Sequence, residues 1–285
     1  MNYKDYYELC KKKYIDDKNI IIKTKIDLDN LGIYISDLDN KNENLLEFPN
    51  NYLDIINSIY KKVKYKIDNK IDLYRDKYFC LTKVDNFWDI KEIIDLGNIF
   101  CKSLEKNMYK SYAIVEHINI YENNFTKKKH NSWKWHIDDN VNEQIKLIVY
   151  LTNVNKYNGA FEVLSNCINN VYKFKSSRIS FKVNKIKNFE NPRNSYSRIP
   201  DNIFNKILSK GFKPKKIIGN KGTCILFDPN CIHRATIPTE LPKRCIICYN
   251  FRPYHKNLQN KVSKKFTTTW SNTEIKKHFR TDLNF

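Results

Sequence analysis

Hydrophobic positions along this chain of 285 residues change their period as the chain proceeds. From Asn51 to Asp68, Leu53, Ile56, Tyr60, Val63 and Ile67 recur every three or four residues, which places them on one face of a helix. A second helical stretch spans about Asn86 to Asn107, with Ile90, Ile93, Ile94, Phe100, Cys101 and Leu104 on one side. From Ser111 the pattern becomes that of strands. These cover Ser111–Tyr121, Gln144–Leu151, Ala160–Leu164, Gly222–Asp228 and Cys245–Phe251, with Asn158-Gly159 as a turn signal between the second and third. Residues 1–50 read as irregular, apart from the apolar run Ile20–Ile22. Residues 166–215 read as a long insertion between core strands. It contains a helix begun by Pro200-Asp201 and carrying Ile203, Ile207 and Leu208. The expected organisation is one domain over 1–285, with helical support over 1–108, a β core over 109–253 and a basic tail over 254–285.

Composition narrows the class. A hydrophobic content of 41% with 14% aromatic residues fits a globular chain rather than a disordered one. No N-terminal apolar core follows Met1 and no run approaches membrane-spanning length, so the expected setting is cytoplasmic, with no membrane partner. In that setting the 8 cysteines are expected as reduced thiols. Cys245 and Cys248 resemble a redox or zinc pair, but an offset of three on a strand sends their sulfurs to opposite faces. The formal charge of +20 raises a nucleic-acid partner. Against it, lysine is spread evenly among abundant asparagine and isoleucine, all with adenine- and thymine-rich codons, and no arginine-rich run interrupts them. A solvated basic surface is the favoured reading, and an anionic small molecule remains open as a substrate.

The candidate chemistry lies in Trp135-His136-Ile137-Asp138, with His233 and Arg244 downstream. On a strand, His136 and Asp138 point to the same face. A histidine from another strand, His233, would complete two imidazoles and a carboxylate on one side of a metal, the facial arrangement of non-haem Fe(II) oxygenases. A structural zinc site would instead be closed by four ligands. Arg244 opens the last strand and offers a planar cation suited to a dicarboxylate such as 2-oxoglutarate. Lys146 shares strand parity with Ile148 and Tyr150; if that face is internal, it could also hold 2-oxoglutarate or substrate.

These residues, with Asn158-Gly-Ala-Phe-Glu162, Gly222-Thr223 and Phe227-Asp228, resemble the phytanoyl-CoA dioxygenase family over about residues 109–253. The resemblance implies a mainly β fold with N-terminal helices, its core a double-stranded β-helix (jelly-roll, cupin-like) with the larger sheet braced by those helices. It implies Fe(II) held by His136, Asp138 and His233, with Arg244 on the distal carboxylate of 2-oxoglutarate. It also implies O2 consumption, with decarboxylation to succinate and hydroxylation of a small molecule or side chain. Halogenating relatives lack the carboxylate, so Asp138 favours hydroxylation. The family has a small hydroxyl residue two positions after the distal histidine; here Ala235 stands there, and Thr236 faces the other way.

Two alternatives follow from the same residues. A JmjC-like protein hydroxylase or demethylase shares His-x-Asp and a distal histidine but grips 2-oxoglutarate with a lysine, for which Lys146 would serve. An inactive barrel acting as a basic, nucleic-acid-binding module is the other. Among the remaining residues, His117 reads as a structural histidine, and His130 as part of a solvated loop. Trp133 and Trp135 read as pocket wall or packing, and Glu143 as a cupin-like ligand lacking its His-x-His partner. Arg178, Arg193 and Arg198 in the insertion suit an anionic substrate.

Overall fold

The computed structural model of the protein describes residues 3–18, 31–36, 45–75, 81–126, 131–138, 143–167, 170–174, 198–255, 280 and 282. The helices are α1 (Tyr3–Lys18), α2 (Tyr52–Asp68), α3 (Lys91–Leu104, running into a π-helical turn at Glu105–Tyr109) and α4 (Asp201–Leu208). The strands are β1 (Ile33–Ser36), β2 (Leu73–Arg75), β3 (Leu81–Val84), β4 (Tyr112–Asn123), β5 (Ile145–Tyr150), β6 (Phe161–Ser165), β7 (Lys213–Ile217), β8 (Cys224–Phe227), β9 (His233–Ala235) and β10 (Cys245–Tyr254).

Among the described residues these strands form a seven-stranded sheet, β1-β8-β5-β10-β4-β3-β2, and a three-stranded sheet, β7-β6-β9, with antiparallel neighbours throughout. Single bridges from His136 to His233 and from Arg198 to His136 extend the small sheet beyond β9. From β4 onwards the chain crosses repeatedly between the sheets: β4 large, His136 small, β5 large, β6 and β7 small, β8 large, β9 small, β10 large. That winding makes a double-stranded β-helix, as expected.

Burial follows from the layering. The outer face of the large sheet packs on α2 and α3 through Val115, Ile118, Ile120, Leu147, Val149, Ile247 and Tyr249, against Ile56, Ile59, Ile93 and Phe100. Its inner face meets the small sheet through Ile148, Tyr150, Ile225, Phe227 and Ile246, against Phe161 and Val163. With both faces covered, β10 is buried at every position. Cys245 belongs to the outer core and Cys248 to the inner one, so the two sulfurs face opposite ways, as strand parity requires. All cysteines among the described residues are free. No helix among those residues is long and apolar enough to cross a membrane.

The N-terminal third departs from the sequence pattern in instructive ways. The irregular reading of residues 1–50 misses α1, whose buried stripe is Tyr6, Tyr7, Cys10 and Tyr14. The four-residue spacing is helical, but tyrosines and a cysteine supply it instead of aliphatic residues. The α2 stripe is rotated: Tyr52, Ile56, Ile59 and Val63 are buried, whereas Leu53 is 45% exposed. Tyr52 takes that side because its hydroxyl donates to Gly222 O at 2.8 Å and lies 3.2 Å from Cys224 Sγ. The second helix begins at Lys91, later than its apolar spacing suggests, with Ile90 at its N-cap. The 166–215 segment is also no simple insertion, since β7 begins inside it and Val171 and Lys173 bridge to Ser165 and Cys231. Its helix starts where Pro200-Asp201 predicts.

The rotated stripe has a measurable consequence. Ile56→Ala should cost about 2–5 kcal/mol of unfolding free energy through a core cavity, while Leu53→Ala should stay within about 0.5 kcal/mol. Chemical denaturation of both variants checks this, and equal losses would place Leu53 in the core.

Candidate metal centre

Two hydrogen bonds set the centre. His136 N donates to His233 O at 3.0 Å and His233 N donates to His136 O at 2.9 Å, so the two residues face each other across the small sheet. Each imidazole is then turned by its own chain. His136 Nδ1 lies 2.8 Å from Lys134 O, and His233 Nδ1 lies 2.8 Å from Cys231 O. A carbonyl only accepts, so Nδ1 carries the proton in both rings and Nε2 is left as a lone-pair donor. The ring centroids stand 4.3 Å apart.

Asp138 joins them because its backbone N–H is fixed to Pro229 O at 2.9 Å. Its Oδ1 lies 3.8 Å from His136 Nε2 and its Oδ2 lies 3.4 Å from His233 Nε2. The three ligating atoms fall within 4.8 Å of one another. Ligands at about 2.1 Å on one octahedral face stand about 3 Å apart, so a small contraction would close this set on a metal. The histidine side chains are 6% exposed and that of Asp138 is 22% exposed, which leaves the carboxylate side open.

The path of the chain through the two sheets has counterparts among solved structures. It is similar to EctD from S. alaskensis in its apoform, with a TM-score of 0.52 and 12% identity over 87% of this chain and 82% of that chain. EctD solved with 2-oxoglutarate and 5-hydroxyectoine gives a TM-score of 0.51 and 13% identity over 82% of this chain and 78% of that chain. No protein-family profile and no curated protein matches the sequence. The likeness is one of fold.

Electrostatics tie the cluster to the large sheet. Lys146 on β5 does face inward, and its Nζ lies 2.7 Å from Asp138 Oδ2. Burial alone would raise the Asp138 pKa, but the Lys146 ammonium and the adjoining His233 ring outweigh it and hold the carboxyl well below its usual range. Burial, then the proximity of the second imidazole and of the Arg198 guanidinium, keep His136 well below its ordinary value, so its ring is a neutral donor at neutral pH. Arg198 owes its place here to the bridge with His136.

Arg244 is 1% exposed at the start of β10. Its backbone is held by Asn158 O at 3.0 Å, and its Nη2 donates to Asn123 Oδ1 at 3.3 Å. Its Nε and Nη1 are buried with no hydrogen-bond partner. Gly159, at φ +100°, makes this approach feasible; a Cβ there would lie 3.1 Å from Asn123 Nδ2 and 3.6 Å from Arg244 Cβ. Asn123 and Tyr150, rather than a hydroxyl at Ala235, are thus side chains that meet the Arg244 guanidinium. Thr236 turns away as parity predicts, its Oγ1 donating to Ala160 O at 2.9 Å. Tyr121 pairs with Ile246 in the same inner row as Tyr150, and lies within electrostatic reach of Arg244, Lys146 and Asp138. Neither Asn123 nor Tyr121 carries a sequence signal beyond strand parity with its neighbours.

Other candidates fall elsewhere. Trp135 packs on Phe204 of α4 at 5.4 Å and beneath the Arg234 guanidinium at 4.3 Å, away from the centre. Trp133 packs with Ala235 on the inner side. Glu143 is not one of the clustered ligands, and Cys231 Sγ lies 3.4 Å from Gly32 O. His117 lies on the inner face of β4, its ring exposed and hydrogen-bonded to Asn119. His130, Asp139, Arg178 and Arg193 lie outside the described residues.

Replacing His233 by Ala should remove most divalent-metal affinity, seen as loss of the Co(II) ligand-field spectrum, while Glu143→Gln leaves it intact. Retention of the spectrum in His233→Ala would remove that residue from the ligand set.

Proposed function

We propose that this protein is a non-haem Fe(II)- and 2-oxoglutarate-dependent oxygenase that hydroxylates a small molecule. The observation that carries the reading is the pairing of two features in one interior. Three convergent ligands of the right types leave one side open, and a buried arginine has two donors without partners. A buried guanidinium that has Asn123 and Tyr150 beside it but keeps unmatched N–H groups is costly, and a carboxylate is a group that satisfies it. The donor set therefore fits Fe(II), and the orphaned Arg244 atoms fit the distal carboxylate of 2-oxoglutarate. The fold likeness to EctD, solved with 2-oxoglutarate, supports the same reading.

When bound, Fe(II) with 2-oxoglutarate supplies oxidative decarboxylation to succinate and CO2, coupled to insertion of oxygen from O2 into a C–H bond. The chain's own residues prepare for that chemistry. The Lys134 and Cys231 carbonyls hold both imidazoles in the ligating tautomer. Lys146 holds Asp138 Oδ2, fixing the carboxylate that would contribute an oxygen to the metal. Ile148, Ile225, Phe227 and Ile246 line the inner wall and exclude water from the reacting atoms. We place the chain with the phytanoyl-CoA dioxygenase type on its His136-x-Asp138, Asn158-Gly159, His233 and Arg244 pattern. The 166–215 segment, which brings Arg198 to the centre, is our candidate for substrate choice. The JmjC-like alternative needs Lys146 for the co-substrate, and that ammonium is already committed to Asp138.

Succinate release under Fe(II), 2-oxoglutarate and O2, screened over a metabolite panel, tests the reaction. Arg244→Ala should raise the 2-oxoglutarate requirement about 10- to 100-fold, the worth of a lost charge-assisted contact. An unchanged requirement would transfer the co-substrate role to another residue, Lys146 first.

A further inference from the structure

The inner face of the large sheet is divided, and the proposed reaction uses only part of it. In an antiparallel ladder, directly paired residues project to the same face. Asn250 pairs with Lys146 on one side and His117 on the other, Cys248 pairs with Asn119, and Tyr121 pairs with both Ile246 and Lys83. Lys146 reaches Asp138, so His117, Asn119 and Lys83 lie on the face that looks into the metal centre. Towards β8 that face is apolar; towards β3 it is polar and basic.

The polar half is built as a binding surface rather than a packed one. The ring of His117 is exposed in mid-strand. Lys83 Nζ donates to the neutral Asn119 Oδ1 at 2.8 Å and makes no ion pair among the described residues. Asn250 is buried, its Oδ1 without a partner. Because β3 ends at Val84, opposite Ile120, a cavity of about 160 Å³ opens at the sheet edge beside the next residues of β4, lined by Lys83, Asp85, His117 and Asn119 and, on the side of the outer core, by apolar residues such as Phe87 and Ile118. The nearby Glu116 is engaged by Gln144 and lies 3.5 Å from Arg252 Nε, while Asp85 is an exposed loop residue. Partial enclosure, helped by the Lys83 and Lys146 ammoniums, holds His117 below its ordinary pKa despite the opposing hydrogen bond with Asn119, which already engages the ring.

We propose that Lys83, His117 and Asn119 form a substrate subsite for an anionic group, a carboxylate or a phosphate, on a small molecule whose other end reaches the His136–Asp138–His233 centre. The assignment of that far end rests on the oxygenase reading; the anion site does not. The backbones of Lys146 and His117 stand two strands apart, about 10 Å.

The histidine side-chain NMR signals of the full chain test this, with inorganic phosphate and acetate titrated in separate arms at constant ionic strength. Both arms are run on the metal-free protein and on the protein loaded with Zn(II) and 2-oxoglutarate. The His117 signal should shift saturably with one of the anions, and the stronger arm identifies phosphate or carboxylate. Lys83→Met should weaken that response about tenfold or more, and Asn119→Asp, which places a carboxylate beside Lys83, should abolish it. Both variants should bind Zn(II) and 2-oxoglutarate as the parent does. A His117 signal that ignores both anions, or a response unchanged in both variants, overturns the subsite. An anion response in a chain that fails to bind Zn(II) and 2-oxoglutarate sinks the oxygenase reading and leaves the subsite standing.

Discussion

The reciprocal backbone pairing of His136 with His233 is the constraint on which the centre depends. It joins two segments that are distant in sequence, extends the small sheet by one bridge, and fixes the orientation of both imidazoles through carbonyls of their own segments. Asp138 needs only the two-residue offset and one bond to Pro229 to reach the same point. Arg198 reaches it by bridging the far side of His136. Ligand convergence is thus a property of strand register, and a slip of one residue would turn His233 to the opposite face.

Charge balance is the second constraint. A carboxylate and two imidazoles in a largely enclosed site lose hydration, and Lys146 supplies the compensating ammonium at 2.7 Å from the carboxylate. Its place is set by β5 lying between β8 and β10, where Lys146 pairs with Phe227 and Asn250. At the other end of the interior Arg244 is held by Asn123 and by the Asn158-Gly159 turn, yet keeps two N–H groups unmatched. One cation is paired by the protein and the other keeps unmatched donors, which separates the proposed metal end of the interior from the proposed co-substrate end.

Much of this was legible in the sequence because period-two alternation assigns faces without further information. The strands carrying Lys146 and Arg244 lie where their apolar patterns predict, and Cys245 and Cys248 part as parity demands. His136, by contrast, is a single bridge and Asp138 lies on no strand, so their shared face is not set by strand parity. What was hidden had physical causes. The stripe of α1 is made of tyrosines, whose hydroxyls disguise its apolar face, and α2 is rotated by a Tyr52 hydrogen bond to a glycine far along the chain. The inward face of His117 was masked by a β-bulge: the register steps from Asn250↔His117 to Phe251↔Val115, leaving Glu116 as the extra residue. Val115 and Ile118 therefore share the outer face despite an odd offset. Asn123 and Arg198 reach the site through pairings that no local pattern encodes.

The account stands on one cavity accommodating both a metal and a dicarboxylate, and anaerobic titration of 2-oxoglutarate into the Fe(II)-loaded protein tests it most directly. Chelation of the metal by the 2-oxo acid should produce a visible charge-transfer absorption that saturates at one equivalent per chain, disappears in His136→Ala, and needs much more 2-oxoglutarate in Arg244→Ala. Fe(II) binding with no such absorption at any 2-oxoglutarate concentration, or an absorption indifferent to both substitutions, would contradict it.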